Sequence, residues 1–240
     1  MNLDNDLINR LPDEYSQKIL QIMESTVNNQ KPLKISILGE FSVGKSSILN
    51  MLIGEEILPI GLEETTSIPT FIDFNEKKNI HIVGYDNSVL PIDEIKFKKY
   101  SLNPPEGVAY SQLELPVKWL DGLTIIDLPG LGSVNNKSHD YTYVQIQQTD
   151  IIIYILASRG ISKQDIDVLR NMNSLGKKSL ICVGKWDIVE NTVEQEGERL
   201  PDLKEWEEQI LKQTKIETKI IPVSKFGLGK NEILNFFEAT

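Results

Sequence analysis

The 240-residue chain has one cysteine, Cys182, and two histidines, His81 and His139. A single thiol cannot close an internal disulfide, which excludes a secreted disulfide scaffold and fits a reducing compartment. Cys182 lies in an apolar run and reads as a buried residue. Two histidines far apart in sequence give no support to a metal cluster or a catalytic triad. Long hydrophobic runs are also missing. Ile151 to Ala157 is the longest, well short of the roughly 20 residues that span a bilayer. The acidic opening Met1-Asn2-Leu3-Asp4-Asn5-Asp6 has no signal-peptide core, so the cytoplasm is the expected location. Basic residues are in deficit, 25 Lys and Arg against 35 Asp and Glu, for a formal charge of −10. That argues against a general nucleic-acid binder and against adhesion to anionic lipid by charge alone. It leaves room for a local phosphate site, which needs only one Lys and a few backbone N–H groups. With 15 Gly and 11 Pro the chain is not of low complexity.

What is present is ordinary globular sequence, long enough to bury roughly 70% of the surface its unfolded form exposes. Apolar residues recur at helical spacing between Leu3 and Val27, and Asn28 to Pro32 breaks the pattern. Residues 1–30 are therefore read as N-terminal helices and 31–240 as the main domain. Short strands are expected at Leu33–Leu38, Ile68–Asp73, Tyr110–Val117, Leu123–Leu128, Ile151–Leu156, Ser179–Val183 and Ile220–Val223. Asn79–Tyr85 and Val89–Ile92 flank a turn at Asp86-Asn87-Ser88 and read as a hairpin. Helices are expected at Ser46–Leu52, Gln164–Leu175, Leu203–Lys212 and Glu232–Ala239. Phe97–Gly107 gives no clear pattern, and Glu190–Glu208 reads as a solvated loop and helix face. The alternation of strand and helix predicts an α/β fold: a doubly wound, mostly parallel sheet with helices on both faces.

Gly39-Glu40-Phe41-Ser42-Val43-Gly44-Lys45-Ser46 matches G-x-x-x-x-G-K-[ST], with a strand before it and a helix after it. Gly44 lets backbone N–H groups close on phosphate oxygens. Lys45 places a charge on the β/γ-phosphates, and the Ser46 hydroxyl ligates Mg²⁺. The candidate nucleotide contacts of this loop are Gly39, Ser42, Val43, Gly44, Lys45, Ser46 and Ser47. Asp127-Leu128-Pro129-Gly130 ends an apolar strand; Asp127 is read as holding a Mg²⁺-bound water and the Gly130 N–H as sensing the γ-phosphate. Lys185-Trp186-Asp187 follows another strand. Guanine-nucleotide proteins place [NT]-K-x-D there: Asp accepts guanine N1–H and N2–H₂, and the Lys stem packs along the base. Gly184 stands where Asn or Thr is usual, so the brace of that loop is missing. Val223-Ser224-Lys225 follows the last strand and resembles the S-A-K loop whose backbone reaches guanine O6. Between Leu58 and Thr70, Thr66, then Thr65, is the candidate to ligate Mg²⁺ and hold the attacking water; Thr70 reads as a strand residue.

These stretches resemble the dynamin-like large GTPases, especially the bacterial branch. The likeness runs from about residue 33 to 238 and includes GEFSVGKSSILNMLIG at 39–54 and LPIGLEETTSIPT at 58–70. It continues with LTIIDLPGLGS at 123–133, TDIIIYIL at 149–156 and GKWD at 184–187. The long gap from Gly44 to Asp127, with its hairpin, sets the chain apart from small signalling GTPases. The resemblance implies a P-loop fold and Mg²⁺-dependent GTP hydrolysis assisted by dimerisation of GTPase domains across the nucleotide. Lys45, Thr66, Gly130 and Ser42 are its catalytic candidates, with Ser46, Thr66 and Asp127 at the metal. Ser42 stands where such proteins help bind K⁺ or Na⁺. Phe41 replaces the Gln of eukaryotic members, and Leu131 replaces the water-orienting Gln of small GTPases, so slow basal turnover is expected. The family's helical bundles, which oligomerise and meet membrane, are not expected in this sequence, and residues 3–27 resemble the start of such a bundle. GTP, GDP and a second copy are the expected partners. Membrane contact, with remodelling or peripheral location, would come only through other segments, and no nucleic acid is expected. Three rivals remain: a ribosome-associated or assembly GTPase, a GTP-binding switch module with negligible hydrolysis, and, weakest, an ATPase.

Overall fold

A computed structural model of the protein describes residues 31–61, 67–130, 146–197 and 199–239. The helices expected within 1–30 and the candidate Thr66 lie outside the described residues. Among the described residues nine strands form one sheet in the order β4-β3-β5-β2-β6-β1-β7-β8-β9. They are β1 (Leu33–Gly39), β2 (Thr70–Phe74), β3 (Asn79–Gly84), β4 (Val89–Pro91) and β5 (Val108–Leu115). β6 (Leu123–Asp127), β7 (Ile151–Leu156), β8 (Lys178–Val183) and β9 (Ile220–Pro222) complete it. From β6 to β9 every pairing is parallel. β2 pairs antiparallel with β6, and the β3–β4 hairpin adds an antiparallel extension on β5. The sheet is therefore mixed and mostly parallel, as the alternation of elements predicts.

The centre of the sheet follows from side-chain alternation. β7 is buried at every position. Ile151, Ile153 and Ile155 point into one core with Ile35 and Ile37. Ile152, Tyr154 and Leu156 point into the other with Leu38. Successive strand residues face opposite sides, so a strand covered on both faces must be apolar throughout. Helices α1 (Lys45–Ile53), α2 (Glu94–Leu102) and α6 (Lys230–Glu238) cover the first core through Ile48, Leu49, Phe97, Ile233 and Phe237. Helices α3 (Lys163–Ser174), α4 (Trp186–Glu196) and α5 (Leu203–Thr214) cover the second through Leu169, Met172, Trp186 and Ile210. The result is three layers, helix on sheet on helix. No described helix is long and apolar enough to cross a membrane.

α3 begins with a capping box between Ser162 and Asp165, and the Tyr154 hydroxyl donates to Asp165 Oδ1 at 2.7 Å, tying helix to strand. Two helices depart from the sequence expectation. α2 occupies part of the segment without a clear pattern, because it buries only Phe97 and Ser101 and leaves little periodic signal. α4 stands where a solvated loop was expected to begin: it buries Trp186 alone, and Glu190, Glu194 and Glu196 are exposed.

Candidate functional site

The carboxyl end of β1 turns through residues 40–44 into α1. Gly39 adopts φ 152, and a β-carbon there would sit 2.3 Å from the Ile155 carbonyl oxygen, so the strand must end in glycine. Ser42 (φ 64) and Gly44 (φ 99) hold left-handed backbone on either side of Val43. Gly44 caps α1 with no side-chain hydrogen bond, which leaves the first N–H groups of the helix to the loop's concavity. Lys45 Nζ donates to the carbonyl oxygens of Gly39 at 3.2 Å and Glu40 at 3.0 Å, folding the amine back over the loop.

The other motifs converge on this loop. Ser46 Oγ donates to Asp127 Oδ2 at 3.0 Å, and both residues are buried. Gly130 follows β6 and abuts the loop: a β-carbon there would meet Phe41 Cα at 2.9 Å and Lys45 Nζ at 3.2 Å. Lys185, at φ 57, starts α4 and donates from Nζ to Ser42 Oγ at 3.0 Å. The Trp186 N–H donates to the Val223 carbonyl at 3.1 Å and links this loop to the one after β9. The carboxylate of Glu40 pairs with the largely exposed Arg159 in the loop after β7.

One cavity of about 880 Å³ lies at the carboxyl ends of the parallel strands. Its wall brings together Ser42, Gly44, Lys45, Ser46, Ser47, Gly130, Lys185, Asp187 and Lys225. Gly39, Val43, Asp127 and Ser224 stand behind that wall. Buried Ser224 turns inward, its Oγ accepting the Phe226 N–H at 3.2 Å. Three lysines gather at the cavity of an acidic chain, the local charge that a phosphate ligand needs. The wall also carries Asn50, Ile188, Asn191 and Phe226, which the sequence reading did not place there. Ile188 and Asn191 become visible only once α4 is known to continue from Asp187 as a helix.

Ser46 and Asp127 offer hard oxygen donors beside the loop, a set that fits Mg²⁺. That ion keeps several waters and substrate oxygens and needs few protein ligands. Among the described residues no group of three His, Cys, Asp or Glu gathers as a metal site of the other kind.

Residues 35–186 match the model of the Dynamin family. The chain belongs to that family. This dynamin-family chain has longer relatives among curated proteins. It is 28% identical over 167 residues to Dynamin-like protein 2 of Campylobacter jejuni, covering 68% of this chain and 27% of that protein. It is 26% identical over 191 residues to GTPase Der of Clostridium botulinum, covering 77% and 34%. Among solved structures, an oligomerised bacterial dynamin pair described as sensing and tethering membranes aligns with TM-score 0.64 and 18% identity. That alignment covers 97% of this chain and 39% of the other. Era in complex with MgGDPNP and a piece of 16S ribosomal RNA aligns at TM-score 0.51 and 17% identity, over 87% and 56%. Both show the P-loop fold. The first curated relatives are longer proteins, of which this chain spans between 18% and 39%.

Proposed function

We propose that the domain binds GTP and GDP with Mg²⁺ and hydrolyses GTP, with catalysis assembled when two GTPase domains meet across the nucleotide. The observation that supports this reading is the meeting of Lys45, Ser46, Gly130, Lys185 and Asp187 on the wall of one cavity. Lys45 exchanges its two loop carbonyls for β/γ-phosphate oxygens. Backbone N–H groups of residues 42–47 surround the phosphates. Ser46, Asp127 and Thr66 would hold Mg²⁺, which supplies positive charge against the charge that develops on phosphoryl transfer. Asp187 accepts both guanine donors, the Lys185 stem lies along the base, and the Ser224–Lys225 backbone reaches O6. Gly130 and Thr66 orient the attacking water, since Leu131 offers no side-chain amide. Ser42 is the candidate partner of K⁺ or Na⁺.

Membrane remodelling belongs to this reading only for a longer protein, with peripheral attachment through other elements. The likeness to Der and Era gives some weight to a ribosome-associated reading. The match to the Dynamin family and the charge of −10 weigh more. Ribosomal RNA is therefore expected not to bind in a filter assay. The main test is GTP turnover against protein concentration, in Mg²⁺ with K⁺ or Na⁺ supplied. A specific rate that rises with concentration is expected. A flat rate below about 10⁻⁴ s⁻¹ with GTP bound would replace catalysis by a switch role.

A further inference from the structure

The geometry points to Phe226 as the stacking platform for the nucleobase, a specificity-neutral affinity residue beside the selective Asp187. This inference rests on the nucleotide reading above and goes beyond it, because no sequence motif assigns Phe226.

Phe226 stands on the wall of the cavity that also holds Lys185, Asp187 and Lys225. Phe226 is 76% exposed, an unusual place for a large apolar residue. The backbone that carries it is fixed. Its N–H donates to buried Ser224 Oγ at 3.2 Å. The Ser224 N–H donates to the Leu228 carbonyl at 3.2 Å, and the Gly227 N–H to the Ser224 carbonyl at 3.4 Å. Gly229 then closes the turn at φ 76, where a β-carbon would strike Val223 Cγ1 at 2.5 Å. A turn held this way presents the ring in a set position at low entropic cost on binding.

Lys225 Nζ lies 5.0 Å from the ring centroid. That contact draws the Lys225 amine onto the aromatic ring, and Ile188, 52% exposed, adds a second apolar group on the same cavity wall. A flat apolar end on a cavity whose other end is a phosphate loop suits a purine ring. Stacking on an aromatic side chain tolerates any base, because every base has a π-face. Phe226 therefore adds affinity without selecting the base, and Asp187 selects without needing Phe226.

The test compares the full chain with Phe226→Ala and Phe226→Tyr, titrating GDP, IDP and inorganic tripolyphosphate in Mg²⁺ by calorimetry. Phe226→Ala is expected to weaken GDP and IDP about tenfold each. The ratio between the two is expected to hold, with tripolyphosphate unchanged and Phe226→Tyr close to the native chain. Equal GDP binding by Phe226→Ala overturns the proposal, and if the rise of turnover with concentration is then lost, Phe226 belongs to the dimer face. A parallel loss of tripolyphosphate overturns it as well, since the substitution has then disturbed the phosphate end. A native chain that binds tripolyphosphate but neither GDP nor IDP overturns the nucleotide reading itself.

Discussion

Gly184 lies against the carbonyl oxygen of Val43, where a β-carbon would stand 2.1 Å from that oxygen and 3.0 Å from Ile155 Cγ2. The loop that replaces the usual Asn or Thr with glycine has thus come down onto the phosphate loop. Backbone contact and the Lys185–Ser42 hydrogen bond now join the two loops that an Asn side chain would bridge. Backbone atoms cannot swing aside, so any side chain at 184 forces the loops apart. Gly184→Ala is expected to cost about 1–3 kcal/mol, a fall in Tm of roughly 2–12 °C for a chain of this size. Gly184→Asn is expected to weaken GDP rather than restore a brace. Thermal unfolding and a GDP titration check both; an unchanged Tm with tighter binding would mean the loops have room to separate.

Asn50 fastens α1 to the loop that leads toward Thr66. Its Nδ2 donates to the Leu58 carbonyl at 2.8 Å, and its Oδ1 accepts the N–H groups of Ile57 at 3.2 Å and Leu58 at 2.9 Å. Asn50 and Leu58 are both buried, so no solvent replaces the lost partners. Asn50→Ala is expected to cost at least about 1–3 kcal/mol, the range for a buried polar group left unpaired. It is also expected to lower kcat more than GDP affinity, because the phosphate loop stays and the segment beyond residue 58 loses its anchor. Denaturant unfolding and turnover measured on the same variant separate the two effects.

The sequence made the sheet centre legible because β7 and the ends of β1 and β8 must be apolar on both faces, a pattern with no competing reading. The phosphate loop was legible because glycine and lysine at fixed spacing answer one physical need. α4 was not, since a helix that buries only Trp186 has no apolar stripe to read. With it went the placing of Ile188 and Asn191 on the cavity wall. The reason for Gly184 was hidden for a different cause: its partner is a backbone oxygen more than a hundred residues away, and contacts of that kind leave no periodic trace. Ser224 shows the converse, a motif residue whose side chain serves its own turn.

Burial pushes the Cys182 thiol up to about 12, with the nearby charge of Glu232 adding to it. In the unfolded chain the thiol ionises near its ordinary 9.0. Between those values the folded state keeps a proton that the unfolded state releases, so stability is full below pH 9 and falls as pH rises toward 12. The slope is at most about 1.4 kcal/mol per pH unit from this group. Cys182→Ala is expected to remove that part of the alkaline loss and to lower stability at neutral pH through the space it leaves. The native thiol is expected to resist a thiol reagent at pH 8 until denaturant is added; fast labelling of the folded chain would show that β8 opens readily.

Asp187 stands in the first turn of α4, half-buried on the cavity wall, two residues beyond the lysine that reaches Ser42. A carboxylate there can accept two hydrogens at once, which guanine offers at N1 and N2. An amide cannot, because its NH₂ would face the guanine amino group, donor against donor. Xanthine carries a carbonyl at C2 in place of that amino group, and an Asn amide complements it. Asp187→Asn is therefore expected to weaken GDP by roughly 10–100-fold, the scale of one bidentate base contact, and to bind xanthosine diphosphate better than the native chain does. Tripolyphosphate is expected to bind both equally, because Lys45 and the loop are untouched. If GDP affinity survives the substitution, the base is not read by Asp187, and the adenine-nucleotide reading would have to be taken up in its place.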